Sequence, residues 1–294
     1  MMRLVRAELF KLRTTNTWWL FAVATVVSTS VVLVVNCVNA HALLQPLDQY
    51  LALHSHGNDV ANIPPEFLAR ITAEWTSGHD VVTQAATIYT SGQLIGVLLA
   101  CLLGIVLITG EYHHQTATTT FVLTPRRTTV VASKLVTAIF VAALSWLVST
   151  GTSLSAGAAF LSSQGYGSQL DHWSVVRAVL LNLAAYCLWA VFGIGLGAVI
   201  RSQLAATVTA TVLYLAGTAA AASVFQLINT YVIKHDWVLT AQVIVPSVAS
   251  AVMVSPTKTF TQSPSQWVGA AVLIGYGIVA GVVGMSILRR RDVA

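Results

Sequence analysis

Six long apolar runs constrain this chain more than any other feature. They fall at roughly residues 17–38, 87–109, 135–161, 176–200, 204–228 and 267–288. Each matches the about 20 residues a helix needs to cross the hydrocarbon core of a bilayer. A backbone in lipid must satisfy its own N–H and C=O groups, and a helix does so within one segment. Composition closes off the soluble alternative. Charged residues make up only 9% of the 294-residue chain and hydrophobic residues 56%, whereas a soluble domain carries about 25% charged residues. The expected fold class is an all-α membrane protein of six transmembrane helices, one domain over residues 1–294.

The segments between the runs differ in kind. Residues 1–15 place Met2, Val5, Leu9 and Leu12 on one side of a helix and Arg3, Arg6 and Arg13 on another. That pattern predicts a basic amphipathic helix lying in the membrane interface. Trp18 and Trp19 open the first run, as expected of an interfacial aromatic belt. Ala40-His41-Ala42 has the small-x-small form of a cleavage site. The apolar run before it exceeds the about 7–15 residues of a signal-peptide core, so it reads as an uncleaved span. Residues 39–86 are polar and acidic, and are expected to form an extracellular loop with short helices. Residues 229–266 contain an apolar piece interrupted by Pro246. It is too short to cross, which predicts an interfacial or re-entrant connection.

Basic residues set the orientation. With both termini on one side, that side holds eleven of the 15 Lys and Arg residues, among them Lys11, Arg126, Arg127, Lys134 and Arg201. Positive residues favour the cytoplasm, so both termini are expected there. The same distribution argues against nucleic acid as a partner. The basic residues edge apolar runs instead of covering a folded surface.

The chain lacks the signatures of an engine or a catalyst. A P-loop needs a glycine before its lysine, and none of Lys11, Lys134, Lys234 and Lys258 has one. Gly-x-Ser-x-Gly and His-Glu-x-x-His are absent. Ion-coupled transporters hide ionisable groups within their spans, and these spans are nearly free of charge. Glu111, at the inner end of the second span, has two readings: an interfacial acid paired with a base, or a buried hinge to the next segment. His41, His54, His56 and His79 share the acidic loop, but their spacing matches no metal motif, and no metal is expected. The three cysteines sit in or beside apolar runs and read as packing residues. Gly193, Gly195 and Gly197 crowd the fourth run, and Gly277/Gly281 has a Gly-x-x-x-Gly spacing suited to close helix approach or a dimer seam.

Two motifs carry a resemblance. Gly110-Glu111-Tyr112, Thr116, Thr120-Phe121, Thr124-Pro125-Arg126-Arg127 and Lys134 follow the second span. Together they resemble the hallmark of ABC-2 type transporter permeases. Ala7-Glu8-Leu9-Phe10-Lys11-Leu12-Arg13, then Trp18-Trp19, resembles that family's interfacial N-terminal helix. His113-His114-Gln115 departs from the pattern where a glycine is frequent.

The resemblance implies a type V exporter-like transmembrane domain that hydrolyses nothing itself. It implies a separate ATPase subunit that binds ATP and Mg, with two copies of each chain, as a permease homodimer or close heterodimer. Residues 110–134 would form the cytoplasmic coupling segment, with Glu111, Tyr112, Thr116, Pro125, Arg126, Arg127 and Lys134 facing the ATPase. Arg126 and Arg127 would orient that contact or hold lipid phosphates. Glu8, Phe10, Lys11 and Arg13 would belong to the interfacial helix. The expected function is export of a hydrophobic or amphipathic substrate, such as a drug, peptide or lipid. The alternatives are an ion-coupled secondary transporter and a non-transporting sensor or assembly protein using the 39–86 loop.

Overall fold

A computed structural model describes residues 2–15, 17–54, 64–113, 127–200, 202–232, 235–256, 259–260 and 263–290. Among them the chain is all helical. The interfacial helix α1 (Met2–Thr14) precedes the first span, α2 (Thr17–Leu43). Two short helices follow, α3 (Leu47–His54) and α4 (Pro65–Gly78). The second span is built from α5 (Val81–Tyr89) and α6 (Gln93–His113). The third to fifth spans are α7 (Arg127–Ser163), α8 (Trp173–Val199) and α9 (Gln203–Tyr231). Short α10 (Asp236–Thr240), a tight helical turn (Ala241–Ile244) and α11 (Pro246–Val254) lead to the last span, α12 (Gln266–Arg290). Among the described residues six spans are long and apolar enough to cross a membrane, or seven if the bent pair between α9 and α12 forms one span, making this a multi-pass membrane protein.

The helices reach further than the apolar pattern implies. Span two begins at Val81, inside the stretch read as polar loop. Thr83, Gln84 and Thr87 interrupt the apolar pattern there. Each is satisfied locally: Thr83 Oγ1 donates to Asp80 Oδ2 (2.6 Å), Gln84 Nε2 to the Gly78 carbonyl (2.8 Å), and Thr87 Oγ1 to the Thr83 carbonyl (3.0 Å). Internally paired polar side chains can sit against apolar neighbours, so a polar sequence becomes part of a buried helix. Likewise α7 starts at Arg127, which puts Lys134 two turns inside a helix instead of in a connecting segment.

Span two is interrupted by a turn at residues 90–92. Thr90 Oγ1 donates back to the Ala86 carbonyl (2.7 Å) and Ser91 Oγ to that of Ile88 (2.6 Å). Such hydroxyls compete with the helical ladder. Irregular backbone at membrane depth survives only where other groups meet it, and three other spans supply them. Asn36 on α2 donates to the Thr87 carbonyl (3.3 Å) and to Ser91 Oγ (2.9 Å). The Tyr186 hydroxyl on α8 donates to the Gly92 carbonyl (3.0 Å), and that of Tyr214 on α9 to the Leu94 carbonyl (2.6 Å).

α8 is the hub, packing on α6, α12 and α7. Glycine makes this possible. A Cβ at Gly193 would stand 2.0 Å from the Cys101 carbonyl oxygen, and one at Gly104 2.2 Å from that of Ala190. The α6 and α8 backbones therefore touch, as small residues permit in membrane bundles. Gly195 uses the opposite face of α8, against Ala280 on α12. The Gly277/Gly281 spacing is not a seam within the chain: Gly281 faces open space, and Gly284 is the α12 glycine that meets Gly195. By contrast α2 and α9 are peripheral, exposing Val31, Val35, Val208 and Val212. Between α9 and α12, Trp237–Ile244 and Pro246–Val254 meet at 100°. Pro246 opens α11 at a first-turn position that loses no helical hydrogen bond.

Candidate coupling site

At the end of the bundle that carries α1, one carboxylate and two ammonium groups converge. Glu8 is the buried residue of α1, 5% exposed. Leu4, Val5, Leu9 and Leu12 flank it as half-buried residues on the packed face, while Met2 is 77% exposed. Met2 thus leaves the predicted apolar side and an acid takes the centre of the packed face. Partner geometry explains this. Lys134 Nζ on α7 lies 3.0 Å from Glu8 Oε2, and Lys11 Nζ lies 3.1 Å from Glu8 Oε1. Lys134 Nζ also donates to the Leu107 carbonyl on α6 (3.1 Å).

Lys134 is the larger commitment. It is 1% exposed and lies within the third span. A lone buried ammonium is costly, and Glu8 with Leu107 removes that cost by charge and by hydrogen bonding. Breaking a buried ion pair by removing one partner costs about 3–5 kcal/mol. Lys11 has a different role. Its side chain is 46% exposed, and an i,i+3 pair at a surface contributes below about 1 kcal/mol.

The result ties three elements together. Lys134 joins the interfacial helix α1, the last turns of α6 and the first turns of α7. Residues 114–126 connect α6 to α7 immediately beyond this point. Beside the pair, α1, α6 and the start of α9 enclose a cavity of about 300 Å³, bordered by Glu8, Leu12, Leu107, Gly110 and Gln203.

The sequence-predicted residues divide accordingly. Glu8 and Lys134, named from separate motifs, are brought into contact. Phe10, Lys11 and Arg13 lie on the exposed side of α1, with Phe10 67% exposed. Glu111 and Tyr112 are in the last turn of α6 and Arg127 opens α7, but their side chains lie outside the described residues, as do Thr116, Pro125 and Arg126 entirely. Leu107 was missed; a carbonyl gives no signal in a sequence. At the far end the His54 ring packs tilted against Tyr50, and His79 stacks on Trp75 while donating to the Leu43 carbonyl (2.8 Å). His56 and Asp59 lie outside the described residues.

A family model described as ABC-2 family transporter protein matches residues 20–293. The chain belongs to this family. It is therefore a membrane component of an ABC transporter, a class that works with an ABC ATPase subunit. A search of curated proteins finds no match. The family match takes in Lys134 but starts after α1, so the Glu8 half of the ion pair is assigned by geometry alone.

Proposed function

We propose that this chain is the permease half of an ATP-driven exporter. It moves a hydrophobic or amphipathic substrate outward across a bacterial plasma membrane, with both termini in the cytoplasm. ATP and Mg are bound by a separate ATPase, and two permeases assemble with two ATPases. A multidrug efflux role belongs to the same reading. The segment between α6 and α7, with Glu111, Arg126 and Arg127 at the contact, receives the ATPase stroke.

The observation supporting this is the Glu8–Lys134–Leu107 junction. A push on residues 114–126 reaches α6 and α7 at once, because they flank that segment. Through Lys134 the same push reaches α1. Three elements would then shift as a body, which turns a local contact into a change in the spans. The near absence of charge elsewhere in the spans supports ATP over an ion gradient as the source of work.

The test is reconstitution of the chain with its ATPase in liposomes. Glu111→Ala with Arg126→Ala and Arg127→Ala is expected to cut stimulated ATPase activity by about tenfold or more, a barrier change of about 1.4 kcal/mol. Thermal melting of the bundle should not change. Unaltered ATPase activity would remove the coupling role. Transport driven by an ion gradient without ATP would replace the exporter reading altogether.

A further inference from the structure

Weak places in two neighbouring spans lie against each other. Span two is interrupted at residues 90–92. In α7 the run Ser149-Thr150-Gly151-Thr152-Ser153 gathers poor helix formers in mid-span. A Cβ at Gly92 would stand 1.8 Å from Ser149 Oγ and 2.6 Å from the Tyr186 hydroxyl on α8, so the two places share one depth. Thr29 on α2 meets Ser149 Oγ there at 3.0 Å. Thr152 Oγ1 and Ser155 Oγ donate back to the Val148 and Thr152 carbonyls (2.9 and 3.0 Å), a habit that bends helices. The buried hydroxyls of Thr150 and Ser153 have no partner among the described residues. Helices α7 and α8 run antiparallel, joined by the short connection 164–172. With Ser149 beside Tyr186, one further turn along each helix sets Ser153 opposite Asn182. Asn182 is 1% exposed, and neither polar atom of its amide has a partner among the described residues. These atoms are closed off from water, so each is stranded in this form of the bundle.

We propose that residues 90–92 and 149–153 form one hinge line, on which α5 and the far part of α7 swing as a single body against α6 and α8. The proposal rests on the exporter reading and names where its spans yield. On the α1 side of the line everything is tied. Lys134 holds α7 to Glu8 and to the Leu107 carbonyl, and α6 touches α8 backbone to backbone. Beyond the line, α7 packs on α5 instead: a Cβ at Gly157 would stand 2.4 Å from Ile88. Helix α5 joins α6 through the turn at 90–92, so both members of the body leave the tied part at one depth. Sharp helix bends arise at glycine and serine, and where a side chain enters the backbone ladder. A bend at 149–153 frees carbonyls of that run. The Asn182 amide, with donors and an acceptor, is placed to take one of them or the Thr150 and Ser153 hydroxyls. Stranded atoms raise the unbroken form of α7, and their pairing stabilises the bent one. That brings two forms of one helix close in free energy, as a switch requires.

The experiment is cryo-EM of the permease–ATPase complex in lipid nanodiscs, once without nucleotide and once trapped with ATP and orthovanadate. Beyond Ser153, α7 runs on to Ser163. That lever is about 15 Å long, and a bend of about 20° moves its tip by about 5 Å. With α6 and α8 superposed, Ser163 is expected to differ by about 5 Å or more between the two forms, and α5 with it. Residues 127–148 should keep their place. In one form the Asn182 amide is expected within hydrogen-bonding distance of α7. Asn182→Leu removes a stranded amide, so it should melt no lower than wild type, yet cut ATPase turnover about tenfold by disfavouring the bent form. Gly151→Ala puts its methyl into open space and strengthens the helix, so it should fold and slow turnover by about fivefold. An α7 of one shape in both forms, or an Asn182→Leu variant that cycles as wild type, would overturn the hinge. A rigid α7 in a complex that hydrolyses ATP removes the hinge alone. The same swing driven by an ion gradient without ATP removes the exporter reading and keeps the hinge.

Discussion

The two ends of the bundle solve the same problem by opposite means. Both bury polar groups within apolar helices. At the α1 end the groups are charged, and Lys134 and Glu8 meet at 3.0 Å with Lys11 and the Leu107 carbonyl beside them. At the far end they are neutral, and Asn36, Tyr186 and Tyr214 meet the backbone of an interrupted span. The difference lies in what a loss would cost. A stranded charge is far more expensive than a stranded carbonyl, so the α1 end behaves as a fixed joint. Neutral hydrogen bonds of modest worth can be exchanged, which suits the region where a helix is already broken.

This contrast is open to attack at three strengths. The largest effect is expected from Lys134→Ala, which leaves Glu8 buried beside Lys11 alone. Stability of the purified chain in detergent should fall by about 3–5 kcal/mol, read from its unfolding transition. The double variant Glu8→Leu with Lys134→Met should recover most of that loss, since an apolar pair of similar volume removes both charges together. A double variant as unstable as the single would show that the pair is not the joint described.

Tyr186→Phe probes the other end at lower stakes. It takes one of two donors from the Gly92 carbonyl, which keeps the Gly96 N–H, and should cost about 0.5–1.5 kcal/mol. A loss equal to that of Lys134→Ala would erase the distinction between the two ends. Smallest is Lys11→Ala, where less than about 1 kcal/mol is expected, and less again in high salt. A larger, salt-independent loss would mean that Lys11 shares the buried joint.

Much of this was legible before any coordinates. The spans were readable because about 20 consecutive apolar residues have few other homes. Glu8 and Lys134 were each singled out by a local pattern, but their pairing was not. The two residues stand 126 positions apart, and nothing along the chain sets the rotation of α1 about its axis. A helical wheel sorts apolar from basic residues and has no means of knowing that an acid belongs on the packed face. The break in span two did leave a trace, Thr90-Ser91-Gly92-Gln93 within an apolar stretch. Its meaning depended on Asn36, Tyr186 and Tyr214, which lie on three other helices.

The sequence alone determined that this is a membrane protein, how many times it can cross, and that no P-loop lysine is present. Those properties follow from composition and from local runs of residues. Tertiary structure alone decided which polar groups meet within the bundle. Local residue preferences choose a helix, but only packing brings a carboxylate to a distant ammonium or a tyrosine to a buried carbonyl. In an apolar medium those meetings decide which end holds firm and which can exchange its contacts.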